Sequence, residues 1–214
     1  MTIKHELKAL LWPGLVTLLP IGLGVSLWSR LPEKLPTHWN VAGVPDQYAD
    51  KLFVVVGIPL LMLIVGFGMY MALVFSQKAN ENPKVSYLIK WLAPMLTLIL
   101  QPLSLFWGLG YHLNIGVLVV AFLGVIFIWL GNYIPKTTRN RMVGFRFPTS
   151  LNNAENWRQT NRIGGIMMVI AGIVMLIGAL FGFLSSLFLI GAVVVALLLM
   201  IVVPAGYSLY LTKK

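Results

Sequence analysis

Two groups of residues in this 214-residue chain have the types and spacing for chemistry or recognition. The first is His38, Asn40, Gly43, Asp46 and Asp50 in the turn-rich stretch 31–52, with His112 further on. Imidazole nitrogens and carboxylate oxygens are the usual protein donors to a transition metal. His38 and Asp46, however, are eight residues apart without helical spacing, and no HExxH motif accompanies them. Three readings stay open at this point. His38, Asp46, Asp50 and His112 form a metal site; or His38, Asn40 and Asp46 hydrogen-bond the loop's own backbone; or the loop is a peptide-contacting surface.

The second group lies in 131–162, GNYIPKTTRNRMVGFRFPTSLNNAENWRQTNR, with six Lys/Arg and one Glu between two apolar runs. Asn152 and Glu155 fit a capping box, Asn152 as N-cap and Glu155 at N3, which predicts a helix from about Asn153. That helix carries Trp157, Arg158 and Arg162 into the next apolar run, with Trp157 and Ile163 toward the membrane interface. Before it, Asn140, Gly144, Arg146 and Pro148 predict a compact turn, because Met142, Val143, Phe145 and Phe147 are more apolar than a disordered tether. The segment is either a basic loop drawn to anionic headgroups or a surface that binds protein or phosphate. With no cysteine and no nucleophile paired to a base, the chain is expected to be non-enzymatic and to need no cofactor.

The elements that hold these groups follow from hydropathy. The chain is 58% hydrophobic and 10% charged, against about 25% charged in an ordinary soluble domain. Runs at about 9–28, 53–76, 91–110, 115–134, 163–184 and 187–210 each approach the 20 or so residues that span a bilayer. The run at 9–28 is too long for a signal peptide and ends without an A-x-A-like site. The predicted class is all-α: a six-helix polytopic membrane bundle with an ordered cytoplasmic loop. Pro13, Pro20, Pro59, Pro94, Pro102 and Pro204 predict kinked helices. Its parts are a first helix and outer loop at 1–52, helices two and three at 53–114, and a region at 115–214 with its cytoplasmic loop at 135–162.

Lys and Arg set the orientation. Lys4, Lys8, Lys78, Lys84, Lys90, Lys136, Arg139, Arg141, Arg146, Arg158, Arg162, Lys213 and Lys214 fall on one side, and only Arg30, Lys34 and Lys51 on the other. Both termini are therefore expected in the cytoplasm, and the net charge of +10 reflects this retention rather than nucleic-acid binding. No Asp, Glu or Arg lies at mid-depth, where coupled transporters usually carry ionisable groups. Gln101, Thr17, Thr97 and Ser104 are the polar side chains there. Gly178 and Gly182, with Ala192 and Ala196, either pack the last two helices together or form a homodimer face.

The residues of the second group, Gly131-Asn132, Asn140, G-x-R-x-P at 144–148, Leu151, Glu155, Trp157 and Asn161-Arg162, resemble the signature of SdpI-type immunity proteins. Pro36, His38, Asn40, Gly43 and Pro45-Asp46 resemble the domain of unknown function that commonly heads the same bacterial proteins. Where that family often has Trp and Thr after the motif proline, this chain has Thr149 and Ser150. The resemblance implies an immunity protein of the bacterial cell membrane that gives resistance to a secreted antimicrobial peptide, the sporulation-delaying toxin. It also implies a signal transducer that sequesters a winged-helix autorepressor at the cytoplasmic face. His38, Asn40, Gly43 and Asp46 would then sense toxin, and Asn132, Asn140, Gly144, Arg146, Trp157 and Arg162 would bind the repressor. The alternatives are a transporter or flippase that exports the toxin, and a metal-dependent membrane hydrolase using the outer histidines and carboxylates.

Overall fold

The apolar runs fold as helices in the computed structural model, which describes residues 8–40, 43–75, 83–140 and 143–213. Lys4, Lys78, Arg141, Met142 and Lys214 lie outside the described residues, as does the side chain of Lys84. The helices are α1 (Leu11–Ser26), α2 (Ile58–Phe75), α3 (Pro83–Gly108), α4 (Ile115–Tyr133), α5 (Pro148–Asn152), α6 (Ala154–Phe181) and α7 (Ser186–Thr212). Five helical stretches, at Phe53–Phe75, Ser86–Gly108, Ile115–Lys136, Ala154–Phe181 and Ser186–Thr212, are long and apolar enough to cross a membrane. Helix α1 is a shorter apolar helix of 16 residues, about 24 Å at the usual rise of 1.5 Å per residue. The chain is thus an all-α polytopic membrane protein with one added feature. The outer stretch 31–52, expected as successive turns, contains an antiparallel hairpin of β1 (Lys34–Trp39) and β2 (Pro45–Asp50).

The chain divides into two units, Met1–Leu113 and Asn114–Lys214. In the first, α1 and α2 both pack on α3. Leu31, Leu35, Val54, Val55 and Leu105 form its core beneath the hairpin. The β1 register shifts between Pro36 and His38, and such a bulge turns neighbouring side chains off strict alternation. Leu35 and Pro36, adjacent and ahead of that shift, are both buried. Leu35 presses on Gly108 of α3, where any Cβ would collide with its side chain, and Ser104 Oγ donates to Pro36 O at 2.5 Å. The hairpin is thereby anchored on α3.

Before α2 the chain makes a π turn at Phe53–Gly57. Pro59 has no N–H with which to close the ordinary helical bond to Val55 four residues earlier. Gln101 of α3 donates to that carbonyl instead, Nε2 to Val55 O at 2.9 Å, from a site only 3% exposed. Replacing Gln101 with Leu is expected to cost about 1–2 kcal/mol, because a buried carbonyl loses its side-chain donor. Thermal unfolding in detergent would read it as a lowered midpoint.

In the second unit α6 is the central helix, packed on α4 along one side and on α7 along the other. Val117, Val120, Ala171, Met175, Ala179, Leu189 and Ala196 make the core. The α4–α6 crossing is glycine on glycine: a Cβ at Gly124 would lie 2.8 Å from Gly172 O, and one at Gly131 2.6 Å from Gly165 O. Gly178 sits directly against Ala192, and a Cβ on Gly182 would lie 2.5 Å from Leu189 Cδ2. The small residues expected to serve either the last hairpin or a dimer face are thus packed within the α6–α7 hairpin, whose second helix is capped by Ser185.

Candidate functional site

The outer hairpin accounts for each residue of its motif. Gly43 has φ +76°, a conformation that favours glycine. Asn40 closes the turn: its N–H donates to Val44 O at 2.9 Å, and its Oδ1 accepts from Val44 N–H at 3.1 Å. Near the tip, His38 Nδ1 on β1 and Asp46 Oδ1 on β2 are 2.5 Å apart, with side chains 59% and 42% exposed. Imidazole and carboxylate are therefore bonded to each other across the strands while still open to solvent. At the other end Lys51, only 8% exposed, holds Glu33 at 2.9 Å and lies 4.8 Å from the Trp28 ring centre.

The residues of the metal alternative lie apart in this geometry. Asp50 pairs with Lys34 at the base of the hairpin, away from His38 and Asp46 at the tip. His112 packs against the Trp107 ring, with centroids 4.8 Å apart. The four residues do not converge, and among the described residues no three His, Cys, Asp or Glu side chains gather to hold a metal. The polar side chains expected to line an export path are likewise buried and bonded to backbone. Thr17 donates to Pro13 O, Thr97 to Ala93 O, Ser104 to Pro36 O and Gln101 to Val55 O.

The segment before α6 forms a knot of side-chain-to-backbone bonds. Asn140 Nδ2 donates to Thr138 O at 2.7 Å and Val143 O at 3.1 Å, while its Oδ1 accepts from Val143 N–H at 2.7 Å. Gly144 follows with φ +120°, and a Cβ there would lie 2.6 Å from Asn161 Oδ1 and 2.9 Å from the Trp157 ring. Asn161 Oδ1 accepts from Phe145 N–H at 2.8 Å, and its Nδ2 donates to Trp157 O at 3.0 Å. Trp157 is 3% exposed, with Nε1 donating to Thr137 O at 3.0 Å. It therefore ties the end of α4 to α6 instead of lying at the interface as expected. Ser150 Oγ accepts from Phe147 N–H at 3.1 Å and lies within donating distance of Phe145 O and Phe147 O, closing the start of the short helix α5.

The helix start differs by one residue from the capping box. Asn153, not Asn152, is the N-cap, its Oδ1 accepting from Glu155 and Asn156 N–H at 2.9 and 3.0 Å. Glu155 is thereby released from the box and pairs with Arg158 at 2.6 Å on the surface.

Beneath this surface runs a network for which the sequence offers only residue types. Asn156 Nδ2 donates to Ser208 O at 2.9 Å, and its Oδ1 accepts from Ser208 Oγ and Thr160 Oγ1, both at 2.8 Å. Thr149 Oγ lies 2.6 Å from Ser208 Oγ. The departure from the familiar motif at Thr149 thus has an internal partner on α7. Asn156, Thr160 and Ser208 are buried together, and their polarity in an apolar helix pair is the one signal that points to the network. Of the expected partner-binding residues, Asn132, Arg146 and Arg162 are exposed, whereas Asn140 and Trp157 are buried and Gly144 is half-buried.

Comparison with known proteins finds the same two regions. The model described as the SdpI/YfhL protein family matches residues 136–208, and that of the domain of unknown function DUF1648 matches residues 15–63. The Immunity protein SdpI of Bacillus subtilis (strain 168) is 27% identical over 190 residues, covering 89% of each chain. No solved structure matches.

Proposed function

From the premise that this multi-pass membrane protein carries the SdpI/YfhL family region in its second unit and DUF1648 in its first, we propose an immunity protein. It gives a bacterial cell resistance to a secreted antimicrobial peptide, with no catalytic step. The observation that carries the reading is the similarity to Immunity protein SdpI along 89% of both chains. Both termini lie in the cytoplasm, as the Lys/Arg asymmetry requires. The exposed tip of the outer hairpin, with His38, Asn40, Gly43 and Asp46, meets the toxin. Asn132, Arg146 and Arg162, presented on the frame built by Asn140, Gly144 and Trp157, meet a winged-helix repressor at the cytoplasmic face. What supports this division is that the frame residues hold the loop, whereas Asn132, Arg146 and Arg162 lie on its exposed surface.

Expression in a susceptible strain is expected to raise tolerance to the peptide, measured as a shift in inhibitory concentration; no shift would end the immunity reading. Asp46→Ala should lower that tolerance severalfold at unchanged unfolding temperature, since an exposed pair contributes only about 0–1 kcal/mol. Repressor capture is tested with Arg146→Ala and Arg162→Ala, which are expected to abolish co-purification of a small DNA-binding repressor. Trp157→Ala is unsuited to that purpose, because it removes a buried side chain of the frame.

A further inference from the structure

The first unit contains a cavity of about 480 Å³ between α1, α2 and α3, within the range of small-molecule sites. Its walls are mostly apolar, including Leu11, Leu18, Met62 and Ile64. Thr17, the one hydroxyl in the wall, already donates to Pro13 O at 2.8 Å. Gly66 closes the α2–α3 side, since a Cβ there would lie 2.8 Å from Ala93 Cβ. Leu11 and Ile64 on the rim are exposed, so the cavity opens outward. Lys90 is the only charged residue of the wall. Its Nζ lies 5.0 Å from the ring centre of Tyr70, a cation–π contact that positions the ammonium at the cavity. It sits seven residues into α3, about 10 Å from the helix start, a depth from which lysine reaches the headgroup layer.

We propose that this cavity is a binding site for one anionic glycerophospholipid, its acyl chain against α1 and α2 and its phosphate on Lys90. The charge and the wall select this occupant together. An extended peptide would bring amide groups that this wall leaves unpaired, at a high cost in a lipid medium. A helical peptide, about 10 Å across, would fill the volume in little more than one turn. An alkyl chain needs no partner, and its phosphate meets the single cation. The inference is independent of the immunity reading, because it concerns a cavity that the toxin and repressor surfaces do not use.

The test is photolabelling of the full chain in nanodiscs with diazirine-tailed phosphatidylglycerol or phosphatidylcholine. Label is expected on residues 10–18 and 62–67, with phosphatidylglycerol favoured roughly fivefold, the preference of one lysine for an anionic surface. Lys90→Gln should erase the preference, and Lys90→Arg should keep it. Leu18→Trp or Met62→Trp, filling the cavity, should cut labelling there at least tenfold at an unchanged unfolding midpoint. Three results would overturn the proposal: equal labelling by the two lipids, label spread evenly over lipid-facing positions such as those of α7, or displacement of the label by a helical peptide. Labelling insensitive to both filling variants would do the same.

Discussion

Gly172→Leu is expected to produce the largest loss of stability of any substitution in the second unit. A Cβ at 172 would stand 2.5 Å from Gly124 O and 2.9 Å from Ile128 N, so the new side chain meets the α4 backbone. Backbone cannot change rotamer, and the only relief is for α4 and α6 to separate. Separation would open the seam from Gly124 to Gly131 and draw Pro135 away from Gly165. Overpacking of this kind costs about 3 kcal/mol or more, the upper range for added core volume. Helix association in lipid relies on close packing, so no hydrophobic term offsets the loss. The measurement is the unfolding midpoint in detergent, with Gly191→Leu on the outer surface of α7 as control, since nothing lies within 4 Å of a Cβ there. A Gly172 variant as stable as the Gly191 variant would contradict the seam.

The second large effect is expected at Asn161→Leu. Asn161 is fully buried and links α6 to the Phe145 amide, its Oδ1 accepting from that N–H at 2.8 Å. Leucine has the same branched outline, is somewhat larger, and leaves that N–H unpaired, a cost of about 1–3 kcal/mol. It also replaces the polar side chain that lies close beside Gly144. The loop should then open, read as protease cleavage between 143 and 148 at least tenfold faster than in the parent. Arg162→Ala, at the exposed neighbour, should change stability by no more than about 0.5 kcal/mol. If the two variants are cleaved alike, the loop is not held by Asn161. The pair also separates frame from surface: Asn161→Leu should lose repressor capture through loss of shape, and Arg162→Ala without it.

Several features could be read from the residues one stretch at a time. The runs at 53–76, 115–134 and 187–210 are so apolar that their helices end within a few residues of the hydropathy limits. The third span was less legible. Its helix starts at Pro83, well before the apolar run read from the sequence, because Lys84 and Lys90 lower the hydropathy of a stretch that Val85, Leu88 and Ile89 continue. The outer motif residues were legible as a set, but the strands joining them were not. Leu35 and Pro36, both apolar, break the alternation that marks a strand, and the register that joins β1 to β2 is a property of the pair. Trp157 was misplaced for a similar reason. An aromatic residue at a span's edge reads as an interface anchor, until Thr137 O, twenty residues earlier, is found accepting from its ring.

What the sequence determined by itself was the solvent of this protein and the threading expected of it, since hydropathy and Lys/Arg bias add up locally along the chain. It also carried the two motifs in which the chain resembles the SdpI-type proteins. The tertiary structure alone decided which motif residues build and which ones face outward. His38 and Asp46 bond to each other rather than converge with Asp50 and His112. Asn140, Trp157 and Asn161 turn inward, and Arg146 and Arg162 outward. Those choices depend on backbone donors and acceptors brought together from distant parts of the chain, and in a membrane interior each must find a partner within the protein.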